Sequence, residues 1–391
     1  MQRKYLKLLI ALTLVSVLVF SLGTVGLANQ GSDSEEYTSF DKFQQVLYLI
    51  NNYHVNDVSI DELLQGAING MLDTIDPFSY YMTPDEYEEM QIEFEGHFGG
   101  IGIRIIMREN KLTIVSPIKG TPGEAAGLQA EDVITHVDGK PTSEMTQKEA
   151  VDMMRGKPGT DVELTINRPD REEPLNVEIT RADIQIPYVT SEMKTDKIGY
   201  ISLAEFAEDV GLKTKKAVTT LKSKGAEAII LDLRSNPGGL LSEAVNVASN
   251  FIEDGTVVSV KKRSGDGRVL KASQQIDAVD MPLVVMTNKG SASASEIVAA
   301  AIKDYDRGTL LGTRTFGKGT VQQVVPLQDG SAVRLTMARY YTPDEDFIHE
   351  KGIKPNIKLE YDPEQEEDNQ LQKAIELLKE KLNQNKMKKA S

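Results

Sequence analysis

Two short segments hold the residues best suited to chemistry. In Thr287-Asn288-Lys289-Gly290-Ser291-Ala292-Ser293-Ala294-Ser295-Glu296, three serines alternate with small residues. An apolar run before it, Pro282 to Met286, reads as a buried strand, and Ile297 to Ile302 after it as a buried helix. Small residues at such a corner let the backbone turn sharply and put a serine at a helix N-terminus. Unpaired N–H groups and the helix dipole favour negative charge there. A nucleophilic serine needs that field, and so does a phosphate-binding turn; the corner by itself fits both.

A nucleophilic serine also needs a base and an oxyanion site. The four histidines are His54, His97, His136 and His349, and none sits in a catalytic motif, which disfavours a Ser-His-Asp triad. Lysine is a base only when neutral. Its ordinary pKa of about 10.4 must then fall by roughly three units, costing about 4 kcal/mol, which an apolar site can impose. The candidate is Lys318, in Thr315-Phe316-Gly317-Lys318-Gly319-Thr320-Val321-Gln322. Glycines on both sides allow close approach, and Phe316 and Val321 are apolar neighbours. The same residues also read as a surface hairpin with an ordinary lysine.

These segments sit in a chain of 391 residues, long enough for two or three domains. Its net charge of −15 and scattered basic residues argue against nucleic acid as a partner. The exceptions are short clusters at Lys261-Lys262-Arg263 and at the C-terminus. The absence of cysteine excludes disulfides, thiolate metal sites, a cysteine nucleophile and a lipid-modified N-terminal cysteine. No metal or cofactor is expected. Arg3, Lys4 and Lys7 precede an uncharged stretch from Leu8 to Ala28, with Gly26-Leu27-Ala28 as a cleavage site. Residues 1–28 thus read as a signal peptide or an uncleaved membrane anchor, and the protein as exported, either anchored or secreted.

Residues 29–95 read as a helical segment, with Phe43, Val46, Leu47 and Ile50 at helical spacing and Ser59 capping a second helix with Glu62. Pro77 and Pro84 break that pattern. Residues 96–182 change to short strands and turns, including an Asp138-Gly139 turn, a helix from Thr146 to Arg155 and a closing strand, Val162 to Asn167. Residues 183–360 alternate strands and helices, a multi-domain α/β chain overall, with an outer strand at Val333, Leu335 and Met337. Residues 361–391 hold a charged helix with Leu371, Ile375, Leu378 and Leu382 on one face, to pack on the body or on a partner subunit.

With Ala125-Ala126-Gly127-Leu128, Glu131-Asp132-Val133-Ile134 and Val137-Asp138-Gly139 in order, residues 96–182 resemble a PDZ domain, a small β-sandwich or barrel. That resemblance implies that the loop of Gly99, Gly100, Ile101 and Gly102 offers N–H groups to a peptide's terminal carboxylate, the peptide adding as a strand. Gly-Ser-Ala-Ser-Ala-Ser-Glu and Phe-Gly-Lys-Gly-x-x-Gln together resemble the C-terminal processing (tail-specific) peptidases, serine–lysine enzymes with an inserted PDZ domain. The likeness covers residues of about 37 to 360 and implies an endopeptidase with Ser293 as nucleophile, Lys318 as base and Gln322 orienting the lysine. It implies oxyanion donors at Ala294 and at one of Gly238 and Gly239, with Ser291 and Ser295 structural. Substrates would be proteins or peptides with accessible C-termini, and the helical ends resemble the family's dimer-forming parts, so a homodimer is expected. Arg155 is a candidate for sensing PDZ occupancy; it also reads as a charge complementing its helix dipole. The competing reading is a PDZ scaffold with an inactive or tightly gated peptidase domain. A trypsin-like protease lacks its ordered His and Asp here, and acyl-CoA chemistry leaves the Lys318 segment unexplained.

Overall fold

The computed structural model describes residues 33–390 apart from residue 109, so the apolar run from Leu8 to Ala28 lies outside the described residues. Among the described residues no helix is long and apolar enough to cross a membrane. The chain divides into two compact units, the first ending at Tyr81. In that unit α1 (Asp33–Tyr53) precedes α2 (Ile60–Asp73). The expected cap is present: Ser59 accepts from Asp61 and Glu62, and Glu62 returns a bond to the Ser59 N–H. Phe40, Val46 and Leu49 of α1 are exposed. A short strand, β1 (Tyr80–Met82), follows.

The second unit opens with α3 (Pro84–Glu95). The sequence reading took Pro84 as a breaker. Here it occupies the first helical position, where a missing N–H costs nothing, behind a Thr83–Glu86 capping box. Next come β2 (His97–Gly100), β3 (Ile103–Arg108), β4 (Lys111–Pro117), α4 (Pro122–Ala125), β5 (Val133–Val137), β6 (Lys140–Pro141), α5 (Gln147–Met154), β7 (Asp161–Asn167) and β8 (Leu175–Thr180). Their sheet runs β3-β4-β5-β7-β8 around a core including Ile114, Ile134, Leu164 and Ile166. The strand expected to close this domain, β7, is internal, because β8 pairs along its whole length. Asp138 and Gly139 both take positive φ (48° and 74°), as a tight two-residue turn requires.

A two-stranded ribbon of β2 with β9 (Ala182–Gln185) leads into the α/β part. There the elements are β10 (Val189–Thr195), β11 (Ile198–Leu203), α6 (Val210–Ser223), β12 (Ala228–Asp232), α7 (Leu241–Ser249), β13 (Thr256–Lys262), β14 (Gly267–Lys271), β15 (Leu283–Thr287), α8 (Ala294–Asp304), β16 (Thr309–Gly312), β17 (Thr320–Pro326), β18 (Ala332–Tyr341), β19 (Ile357–Lys358) and α9 (Asn369–Ala390). The main sheet runs β10-β11-β12-β15-β16-β19, parallel from β11 onward. Every residue of β12 and β15 is buried, which explains their unbroken apolar runs: helices cover both faces. Residues of α6, α7 and α8 fill one side. On the other, Ala374, Ile375, Leu378 and Leu382 of α9 pack on Ile198, Ala228, Ile230, Val284 and Met286, so this helix covers its own chain. Strand β18, expected to be an outer strand, lies between β17 and β13.

Helices α3 and α5, the connection before β10 and the segment after β11 surround a cleft lined by Glu89, Glu93, Phe98, Lys148, Arg155, Tyr188 and Glu205. Burial, and then repulsion from Glu93, push the Glu205 carboxyl up to about 7. Between an ordinary carboxyl value of about 4.3 and that raised value, the unfolded chain has lost a proton that the folded chain keeps. This group's contribution therefore declines as pH rises through the window. Replacing Glu205→Gln should raise the melting temperature, relative to wild type, more at pH 8 than at pH 4; equal differences at both would show that the carboxyl is not strained.

Candidate active site

Three adjacent parallel strands deliver the candidate residues to one end of the sheet. Strand β12 runs into Arg234–Gly239, β15 into the serine corner, and β16 into Thr313–Gly319. Loops at the C-terminal ends of parallel strands are where such sheets place their ligands.

The corner separates its three serines. Ser291 Oγ donates to the Leu233 carbonyl (2.7 Å) and accepts from Asn288 N (3.0 Å). Ser295 Oγ donates to the Asn236 carbonyl (2.9 Å). Both are fully buried (0% exposed), while Ser293 keeps partial exposure. Ser293 alone of the three has an unusual backbone, φ 53° and ψ −114°. A non-glycine residue held there stores roughly 1–3 kcal/mol of strain, a feature of nucleophiles at strand-to-helix turns.

Glu296 and Tyr340 hold that conformation and join it to the lysine loop. The Glu296 carboxylate is fully buried. Its Oε2 accepts from Ser293 N (2.9 Å) and Lys318 N (2.8 Å); its Oε1 accepts from Thr315 Oγ1 (2.6 Å) and Gly317 N (2.7 Å). Ser293 and Lys318 are thus joined through one oxygen. The Tyr340 hydroxyl, on β18, bonds to the Lys318 carbonyl and lies 3.3 Å from that of Ser293. Burial, with the Glu296 charge beside it, raises this phenol well above its ordinary value, so it stays a neutral donor.

Gln322 sits on β17 where the register with β18 shifts, a bulge that re-aims its side chain. Its Nε2 donates to Thr320 Oγ1 (2.8 Å) and Thr336 Oγ1 (3.2 Å), which fixes the amide plane. Phe316, read as an apolar neighbour of the lysine, is 57% exposed. Val321 is half-buried against the core. His349, which sits in no catalytic motif, lies beside this segment, its Nδ1 accepting from Gly319 N (3.4 Å).

The two candidate oxyanion glycines differ. Both need glycine, with φ of 112° and 136°. Gly238 N donates to Asn236 Oδ1 (2.9 Å), and its carbonyl accepts from Phe206 N (2.8 Å). Across a trans peptide the Gly239 N–H points opposite to that carbonyl, away from Phe206. Asn236 also ties this loop to the corner, its carbonyl accepting from Ala292 N (3.0 Å) and Ser295 Oγ. A Cβ added to Gly238 would lie 2.7 Å from Ser293 Cβ and 3.1 Å from Ala294 N.

In the PDZ-like part the four expected loop residues split. Gly99 and Gly100 are not loop residues but belong to β2, paired with β9, where the ribbon needs them. Ile101 and Gly102 form the turn into β3; their carbonyls accept from Gly123 N (2.7 Å) and Ile118 N (2.9 Å). Strand β3 is a sheet edge, and Gln147 Oε1 of α5 accepts from Met107 N on it (3.0 Å). Arg155 stacks its guanidinium over Phe98, 5.1 Å from the ring centre. Its Nε is buried without a hydrogen-bond partner among the described residues.

Sequence reasoning missed Glu296, Thr315, Tyr340 and the place of His349. The Ser-x-x-Glu spacing of Ser293 and Glu296, a capping-box signal, was the available clue to the first. For Tyr340 there was none, because its role depends on strand pairing 47 residues from Ser293.

Residues 197–359 match the family described as Peptidase family S41, residues 99–179 a PDZ domain, and residues 22–86 the activating protease CtpB N-terminal domain. The carboxy-terminal processing protease CtpA of Bacillus subtilis is 38% identical over 358 residues, covering 91% of this chain and 76% of that protein. A carboxy-terminal-processing protease of Bartonella bacilliformis is 39% identical over 334 residues, covering 84% of this chain and 77% of that one. A solved photosystem II D1 C-terminal processing protease is 29% identical with a TM-score of 0.47, covering 81% of this chain and 92% of that one.

Glu296→Gln should lower kcat for peptide hydrolysis by about ten- to a hundredfold, since a carboxamide cannot accept from donors on both arms. Gly238→Ala should lose activity more completely, by displacing Ser293. Peptide turnover in both variants at the wild-type rate would remove these residues from the site.

Proposed function

Because the chain belongs to the carboxy-terminal processing proteases of peptidase family S41, we propose that it is an exported serine endopeptidase using Ser293, Lys318 and Gln322. The observation that carries this reading is the Glu296 oxygen shared by the backbones of Ser293 and Lys318. Neutral Lys318 Nζ takes the Ser293 proton as Oγ attacks the scissile carbonyl. The Ala294 N–H, at the start of α8, and the outward N–H of Gly239 receive the oxyanion. Gln322 Oε1, left over once Nε2 is bound by two threonines, accepts from the lysine and selects its rotamer. The resulting ammonium protonates the leaving amine, and a water then attacks the acyl-enzyme with the lysine again as base.

The PDZ-like domain presents β3 as an open edge beside α5, suited to adding a substrate's C-terminal segment as a further strand. Export, with the N-terminal segment as anchor or cleaved signal, follows from the basic flank and apolar run at residues 3–28. A homodimer is supported by the exposed apolar side chains of α1. Arg155 is the candidate for sensing PDZ occupancy, a reading supported by its buried Nε, which lacks a hydrogen-bond partner among the described residues.

Ser293→Ala and Lys318→Arg should each reduce cleavage of an unstructured protein by at least about a thousandfold without lowering the melting temperature, since guanidinium cannot give up its proton. Gln322→Ala should be milder. Full turnover by Lys318→Arg would remove lysine as the base. Arg155→Ala should change activation by a C-terminal peptide while leaving thermal stability unchanged; unaltered activation would leave it a packing residue.

A further inference from the structure

Next to Gln322 lies a cleft of about 560 Å³ that the catalytic steps leave unused. Its apolar floor is Leu241, Val260, Val321, Met337 and Ala338. Leu241 starts α7 two residues beyond Gly239, and Gln322 forms part of the wall, so the cleft adjoins elements of the candidate site. Its far rim is the hairpin of β13 and β14, which contributes Lys262, Asp266 and Arg268.

Strand alternation sorts the basic run Lys261-Lys262-Arg263, which no other feature accounts for. Lys261 turns to the opposite face, its Nζ 4.4 Å from the Tyr341 ring centre. Lys262 faces the cleft together with Arg268, whose position pairs with Val260 in the floor. Both cations are exposed, and among the described residues neither has an ion-pair partner. Asp266 is engaged within its own turn by Ser264 Oγ (2.9 Å). Two cations without ion-pair partners thus stand over an apolar floor in a chain of net charge −15.

We propose that this cleft is a specificity subsite for an acidic peptide. An aliphatic side chain of the substrate rests on Leu241, Val260 and Met337, and an Asp or Glu within about three residues of the scissile bond pairs with Lys262 and Arg268, as an extended chain advances about 3.3 Å per residue. The inference rests on the catalytic reading above. Paired with an exposed cation each, such contacts change rates severalfold.

The test uses the full chain and quenched peptides that differ only in Asp, Asn or Lys at each of three positions on either side of the cleaved bond. Wild type should favour Asp over Asn in kcat/KM by about three- to tenfold at one position or more, and less at about 0.5 M salt. Lys262→Gln with Arg268→Gln should bring that ratio toward one, and Lys262→Glu with Arg268→Glu should invert it in favour of Lys. A ratio near one at every position in wild type, or a preference untouched by charge reversal, overturns the subsite. Because the ratio is taken within one variant, partial loss of folding cancels from it. Cleavage surviving in Ser293→Ala would overturn the catalytic reading instead, while the charge ratio still reports on the subsite.

Discussion

A single buried carboxylate holds the site together. Glu296 takes four donors directly, one from the serine corner and three from the lysine loop. These two loops leave different strands and have no covalent reason to meet. A carboxylate can accept along both oxygens at once, and charge-assisted bonds of this kind are roughly twice as strong as neutral ones. The strained backbone of Ser293 depends on it directly, since one of those bonds is to the Ser293 N–H. Tyr340 repeats the link from the carbonyl side, so both loops are held at N–H and at C=O.

The parallel sheet explains why so few residues suffice. Placing β12, β15 and β16 side by side brings the Arg234–Gly239 loop, the serine corner and the lysine loop to one end of the sheet with their order already set. Asn236 bridges the first two, and Glu296 the second and third. Each link is local once the strands are adjacent.

How much of this could be read from the chain alone follows from the range of each interaction. Ser59, the Asp138-Gly139 turn and the apolar runs of β12 and β15 are decided within a few residues, so periodicity and cap chemistry expose them. The serine corner and the lysine segment were visible for the same reason, as short stretches whose residue types have little other use. Pro84 was misread because a proline that stops one helix and a proline that starts one look alike without the Thr83–Glu86 box being weighed. Misplacement of β7 and β18 as boundary strands came from β8 and β17, whose partners only pairing reveals. Phe316 was read as an apolar neighbour of the lysine; which way a loop side chain points depends on what packs on it, and Phe316 is left mostly exposed. The direction of the peptide group between Gly238 and Gly239, which bears on the choice of oxyanion donor, is likewise set by a contact with Phe206 that the sequence does not reveal.

The C-terminal helix closes the structure in a way that bears on when this protein becomes competent. Arg234, at the root of the loop that ends in Gly238 and Gly239, donates to Asp232 beneath it and also to Asp368 (2.7 Å) and Gln370 (2.9 Å) at the start of α9. Tyr200 completes the set by donating to Asp232 (2.8 Å). A polypeptide is made N-terminus first. The serine corner and lysine loop therefore emerge well before the residues that clamp Arg234. Until that last helix is made, Arg234 has Asp232 but neither Asp368 nor Gln370, a built-in delay between making the serine corner and the lysine segment and completing the bonds around Arg234.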